Sequence, residues 1–79
     1  MKEEYPKDFF IKLDSDDYRI GRLTLTKITE SFNVEIDIVS KENKKIWAHI
    51  DVLYNLNDPQ EALDRGVQRL SEFLNQSEN

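Results

Sequence analysis

Residues 31–40, with the sequence SFNVEIDIVS, decide the fold of this chain. Apolar side chains occupy alternate positions of this segment: Phe32, Val34, Ile36 and Ile38. Polar side chains fill the positions between them: Asn33, Glu35 and Asp37. Because successive side chains of a β-strand point to opposite faces, this alternation predicts a strand with one buried face and one wet face.

The chain after this segment returns as a second strand. Residues 41–43 (KEN) are interpreted as the hairpin loop, and residues 45–53 alternate again. The predicted inward positions are apolar: Ile46, Ala48, Ile50 and Val52. The predicted outward positions are Trp47, His49 and Asp51. This segment therefore extends the same sheet, with its apolar face on the same side.

The register of this hairpin follows from its predicted loop. Asn43 tolerates the left-handed conformation with which a three-residue hairpin loop ends. The loop then closes by pairing Ser40 with Lys44. Two cross-strand pairs follow on the wet face: Glu35 with His49, and Asp37 with Trp47.

Two further strands are predicted before this hairpin, at residues 8–13 and 18–28. The first presents its apolar residues at odd positions: Phe9, Ile11 and Leu13. In the second, the apolar positions change from even at Ile20 to odd at Leu23. Glycine within a strand often marks a β-bulge, so we assign this change to a bulge at Gly21.

The last segment is an amphipathic helix that begins after Asp58. Asp58 is a preferred cap residue, Pro59 fits the first turn, and Glu61 completes a pattern like a capping box. One apolar stripe recurs at helical spacing: Ala62, Leu63, Val67, Leu70, Phe73 and Leu74. A sheet with one apolar face needs a cover, and this stripe supplies it.

The predicted fold class is therefore α+β. Residues 1–79 form a single small domain, a four-stranded antiparallel β-meander with one C-terminal α-helix packed across one face. Residues 1–7 and 76–79 show no periodic pattern of apolar residues, and we expect them to be flexible.

Composition excludes several classes of function. The 79 residues include no cysteine and two glycines, so disulfides, thiolate metal sites and glycine-rich phosphate loops are absent from the sequence. The formal net charge of −5 argues against nonspecific nucleic-acid binding. No apolar run approaches the length of a membrane helix. We expect a soluble cytoplasmic protein without a cofactor, a metal or a membrane contact.

His49 is the one candidate for acid–base chemistry. Glu35 and Asp51 could share a sheet face with it, and a carboxylate could orient the imidazole for proton transfer. A nucleophile is missing, because no serine of the chain lies in a recognisable catalytic turn. His49 is also the only histidine, and a zinc site draws on several nitrogen or sulfur ligands. We therefore predict no catalytic residues and no enzyme, with acid–base catalysis around His49 and Glu35 as an alternative.

The predicted function is protein binding through the sheet face opposite the helix. Aromatic residues are enriched at binding hot spots, and Trp47 is predicted to lie on this face. The candidate partner-binding residues are Trp47, His49, Glu35, Asp37 and Val39. The partner would be another protein, as for an inhibitor, antitoxin or accessory protein, or a second copy in a weak homodimer.

Nucleic-acid binding is the alternative function. Three lysines cluster at the predicted hairpin tip beside Trp47: Lys41, Lys44 and Lys45. Basic tips with aromatic residues can bind single strands by charge and stacking. Carboxylates in the same neighbourhood would repel phosphate, so nucleic acid is the less favoured partner.

Overall fold

A computed structural model of the chain describes residues 5–76. They form four strands and one helix, in the order β1 (Lys7–Lys12), β2 (Arg19–Ile28), β3 (Ser31–Ser40), β4 (Ile46–Leu56) and α1 (Pro59–Gln76). The strands make one antiparallel sheet in the order β1-β2-β3-β4. The predicted α+β meander with a C-terminal helix is confirmed.

The predicted flexible ends fall partly on residues 1–4 and 77–79, which lie outside the described residues. At the N-terminal side, the ring of Tyr5 packs against Phe32, with ring centroids 5.8 Å apart. The pairing of β1 with β2 begins at Lys7. Residues 5–7 are therefore in contact with the rest of the domain.

The core lies between the sheet and α1. Its buried side chains come from β2 and β3, from the helix stripe, from the residue after β1 and from the last residue of β4: Leu13, Leu23, Leu25, Phe32, Val34, Ile36, Ile38, Leu56, Ala62 and Leu70. The start of the helix is capped as predicted, since the Asp58 carboxylate accepts a hydrogen bond from the Glu61 amide at 2.8 Å. The Glu61 carboxylate in turn accepts from the amide of Asn57, one residue before the cap.

The bulge predicted at Gly21 is wrong. The ladder between β2 and β3 runs without interruption through Gly21, which lies opposite Ile38. Gly21 occupies an inward position, where a Cβ atom would lie 2.7 Å from Leu70 Cδ2. The apolar residues change from an even position, Ile20, to an odd position, Leu23, without a bulge. Gly21 occupies the inward position between them and has no side chain, and Ile20 packs on the face away from α1. The helix can approach the sheet closely at this point.

We expect Gly21→Ala to lower the free energy of unfolding by about 1–3 kcal/mol, because the added methyl group overpacks the core against Leu70. Urea denaturation measures this cost. A double-mutant cycle with Leu70→Val, which lacks the Cδ2 atom, tests its cause. Gly21→Ala should cost less in the Leu70→Val background, and an equal cost in both backgrounds would contradict the close contact.

The β3–β4 hairpin differs from its predicted register. Lys44, with a φ of 60°, adopts the left-handed conformation assigned to Asn43. The amide of Ser40 donates a hydrogen bond to the carbonyl of Lys45 at 2.9 Å, so the loop spans residues 41–44. The longer loop alone would place Asp37 opposite Ala48. The register shift between Ile38 and Val39 adds one residue, so Asp37 lies opposite His49 rather than Trp47. Glu35 lies opposite Val52 rather than His49. The loop is one residue longer than predicted, which moves the partner of every β3 residue.

β4 also carries irregularities that reorient its side chains. The register with β3 shifts between Phe32 and Val34, between Ile36 and Asp37, and between Ile38 and Val39. An extra residue at a bulge turns the following side chains to the other face. Trp47 and Asp51, predicted outward, lie on the helix side, where Asp51 accepts a hydrogen bond from Arg69 of α1 at 3.0 Å.

Two inward predictions for β4 are wrong, that of Ile46 because the hairpin loop is one residue longer and that of Val52 because of the register shifts. Ile46 pairs with Val39, and Val52 pairs with Glu35, both of which lie on the face away from α1. Ile46 is 56% exposed. Ala48 and Ile50 pack against the core, as the alternation predicts.

Candidate functional site

The face of the sheet away from α1, called the outer face below, is built from rows of side chains that cross all four strands. The first row is Lys12, Ile20, Val39 and Ile46. The second row is Phe10, Arg22, Asp37 and His49. The third row is Asp8, Thr24, Glu35 and Val52. Four of the five predicted partner-binding residues lie in these rows: His49, Glu35, Asp37 and Val39.

Asp37 is the centre of an ionic network in the second row. Its Oδ1 atom lies 2.7 Å from His49 Nδ1, and its Oδ2 atom accepts a hydrogen bond from Arg22 Nη2 at 3.2 Å. Asp37 lies on the predicted face, but it has no exposed surface, so the prediction that its side chain contacts water is wrong. The side chains of Arg22 and His49 flank the carboxylate from the two neighbouring strands. A carboxylate can be buried where charged partners hydrogen-bond to it.

His49 lies between two carboxylates. Its Nδ1 atom is 3.5 Å from Glu35 Oε2, in addition to the shorter contact with Asp37. The hydrogen bond to Asp37 raises the pKa of His49 above its ordinary value, and desolvation partly opposes this rise. The imidazole is half exposed, so the outer face presents it to solvent while a buried carboxylate holds its orientation.

The first row is mainly apolar. Val39 is fully buried although α1 is on the other side of the sheet. It lies between Ile20 of β2 and Ile46 of β4. Ile46 is exposed, and so is Phe10 of the adjoining row at 44%. The outer face therefore combines exposed apolar side chains with a buried ionic network.

Trp47 is separated from the other predicted partner-binding residues. Its ring stacks on the guanidinium of Arg19, whose carbon lies 4.2 Å from the ring centroid. Trp47 lines a groove of about 800 Å³ on the helix side, together with Leu13, Val67, Leu70, Phe73 and Leu74. The prediction that Trp47 lies on the face opposite the helix is wrong, because the longer hairpin loop pairs the preceding residue, Ile46, with Val39 on the outer face and so turns Trp47 to the helix side.

The lysines of the hairpin tip are partly engaged within the chain. Lys41 Nζ donates a hydrogen bond to the carbonyl of Asp16 at 3.1 Å. Lys44 Nζ donates to the carbonyl of Lys41 at 2.6 Å and lies 5.5 Å from the centre of the Phe10 ring. Lys45 is exposed. Nucleic-acid binding by these lysines stays a prediction, and this geometry does not favour it.

The Asp37–His49 pair has part of the geometry of an acid–base site. A buried carboxylate that bonds to Nδ1 fixes the imidazole ring, as catalytic histidines require. Among residues 5–76, however, no serine or threonine hydroxyl hydrogen-bonds to the imidazole. Catalysis around His49 and Glu35 stays an alternative prediction, with Asp37 at 2.7 Å as the closer orienting carboxylate and Glu35 at 3.5 Å.

Sequence reasoning missed Arg22 as a member of this network. Arg22 lies opposite Asp37 because β2 and β3 are joined by a two-residue loop, Thr29-Glu30. Thr29 has a φ of 47°, a conformation that two-residue hairpins usually assign to Gly or Asn. The loop therefore lacks the sequence signal that would have fixed the register and identified Arg22.

Comparison of the chain with protein-family models, curated proteins and solved structures finds no match. Within residues 5–76, no helix is both long and apolar enough to cross a membrane. The function of the chain therefore has to be inferred from the side chains of its outer face.

Proposed function

We propose that this protein is a non-catalytic, cytoplasmic protein-binding module whose partner binds the outer face. The observation that supports this proposal most is the composition of that face. It lies away from α1, and it exposes Phe10 and Ile46 beside the Arg22–Asp37–His49 network.

This arrangement has the features of a protein interface. Binding surfaces combine apolar anchors with a polar rim, and a rigid surface loses less entropy on binding than a flexible one. Phe10 and Ile46 are candidate anchors on strands β1 and β4. The ion pair between Arg22 and Asp37 links β2 to β3. Because the two charges are paired with each other, the buried carboxylate needs no charged group from the partner.

Charge favours a basic protein as the partner. The chain has a formal net charge of −5, so two copies of it repel each other. The third row of the outer face adds two carboxylates, the exposed Asp8 and the 44% exposed Glu35, which contacts His49. A partner with basic side chains around an apolar patch would match both features.

Site-specific photo-crosslinking tests this proposal. Ile46→benzoylphenylalanine places the reactive group on the outer face, and Gln68→benzoylphenylalanine places it on the exposed side of α1 as a control. Irradiation in the cells that produce the protein should give an adduct with a basic protein from position 46 and not from position 68. Adding Phe10→Asp should abolish that adduct, whereas adding Ser71→Asp on the helix should not.

Other adducts would contradict the proposal in distinguishable ways. A product of twice the chain mass would identify a second copy as the partner. An adduct from position 46 that survives Phe10→Asp but is lost with Trp47→Ser would move the binding surface to the helix-side groove. Equal products from positions 46 and 68 would indicate nonspecific capture.

A further inference from the structure

Three metal-ligating groups converge on the outer face. His49 Nδ1, a carboxylate oxygen of Glu35 and a carboxylate oxygen of Asp37 all lie within 4.8 Å of one another. The Nδ1 atom is 2.7 Å from Asp37 Oδ1 and 3.5 Å from Glu35 Oε2. Ligands bonded to one zinc ion at about 2.0–2.2 Å lie roughly 3.0–3.5 Å from each other. Shifts of less than about 1 Å would therefore bring these distances into the range of a shared ion.

We propose that Glu35, Asp37 and His49 form a binding site for a divalent transition-metal ion, with the ion taking the place of the proton between His49 and Asp37. The proposal is independent of the protein-binding function. An imidazole with two carboxylates suits Zn²⁺ and its first-row neighbours, whereas Ca²⁺ and Mg²⁺ prefer sites made only of oxygen. Three protein ligands leave the remaining positions of the ion to water.

The strands hold the three ligands in place. Glu35 and Asp37 are two residues apart on β3 and share its outer face, and His49 of β4 lies directly opposite Asp37. The metal-binding atoms therefore come from two adjacent, hydrogen-bonded strands rather than from loops. Sites on rigid elements hold their ligands more accurately than sites on loops.

Arg22 supports the site from outside the ligand set. Its guanidinium bonds to Asp37 Oδ2 at 3.2 Å, which leaves Oδ1 directed at His49. Hydrogen bonds to ligating carboxylates are a common feature of metal sites, because they fix the orientation of the ligand. With His49 neutral, the two carboxylates and Arg22 carry a combined charge of −1, which attracts a cation.

The site is open on one side. Asp37 is fully buried, whereas the side chains of Glu35 and His49 are 44% and 50% exposed. An ion and its water ligands can therefore enter from solvent, with Asp37 at the base of the site.

Isothermal titration of the full chain with ZnCl₂, in a buffer that does not bind zinc, tests the site. We expect one ion per chain, with binding at least tenfold weaker in His49→Ala and in Glu35→Gln. Both residues are half exposed, so these variants should keep the fold, which circular dichroism checks. Glu42→Gln, a change of an exposed carboxylate in the hairpin loop, is the matched control and should bind like the wild type.

The location of the ion is tested separately by ¹H–¹⁵N NMR with zinc. Shifts should centre on residues 35–37 and 49 and be absent from the exposed side of α1. Undetectable zinc binding, or binding unchanged in either ligand variant, would overturn the proposal. Equal affinity for MgCl₂ would overturn the assignment to a transition metal. None of these experiments includes the protein partner, so the proposal of a metal site and the proposal of a protein-binding surface are tested separately.

Discussion

Leu70→Asp should abolish the cooperative unfolding transition of this domain. Leu70 is 2% exposed and packs on the inward position of Gly21. A carboxylate at this position would be buried without a charged partner, at a cost of several kcal/mol. The core of a domain of this size supplies a net stability of only about 3–5 kcal/mol. The expected result is a chain without a cooperative thermal transition by circular dichroism.

Ser71→Asp is the matched control for this change. It adds the same charge at the next helix position, which is exposed. Surface substitutions of this kind usually change stability by less than about 0.5 kcal/mol, so the thermal transition should remain. A cooperative transition in Leu70→Asp close to that of Ser71→Asp would contradict the packing of α1 on the sheet.

Asp37→Ala should lower the free energy of unfolding by about 3–5 kcal/mol, the usual cost of removing one partner of a buried ion pair. The loss leaves the guanidinium of Arg22, which is 19% exposed, without its carboxylate. Arg22 Nε is already buried without a hydrogen-bond partner among the described residues. Because this cost approaches the whole net stability of a domain of this size, urea denaturation of wild type and variant is measured in the presence of the stabilising osmolyte trimethylamine N-oxide.

Glu35→Ala is the control for Asp37→Ala, because it removes a carboxylate from the same strand and face at a half-exposed position. Its cost should stay below about 1 kcal/mol. Arg22→Leu should recover part of the stability lost in Asp37→Ala, since an apolar pair leaves no buried charge. Similar costs for Asp37→Ala and Glu35→Ala, or no recovery with Arg22→Leu, would contradict the buried pair.

The sequence predicted the elements whose signals are local. The alternation of residues 31–40 gives the bounds of β3, and the cap at Asp58 gives the start of α1. The order of the strands follows from their short connections. Each of these features depends on a few neighbouring residues, so a pattern along the chain is sufficient to identify it.

The face on which each β4 side chain lies could not be predicted, because the hairpin loop is one residue longer than expected and three register shifts then interrupt the alternation. Trp47 and Asp51 are at odd positions like His49, yet they lie on the other side of the sheet from it. Residues 46–53 contain no glycine, asparagine or proline that would mark the two irregularities near Trp47 and Asp51, whereas the third carries Asn55 with a φ of 59°. The register between β3 and β4 depends on the packing of β4 against both β3 and α1.

The candidate site was predicted in part. Alternation placed Glu35 and Asp37 on the face away from the helix, and His49 joins them there. The burial of Asp37 was missed because it depends on Arg22, which comes from another strand. Interpreting Gly21 as a bulge obscured the facing of Arg22, the residue that follows it.

The irregular ladder of β4 has a consequence for how the protein avoids aggregation. β4 is an edge strand of 11 residues and exposes the aromatic side chains of Trp47 and Tyr54. A long, flat edge strand is a template on which another chain can add a strand, and bulges prevent this by twisting the edge. Three register shifts along β4 divide its free backbone groups into short stretches. The register shifts that hid the facing of Asp51 and Val52 from the sequence thus also disfavour intermolecular strand addition and amyloid-like growth at this edge.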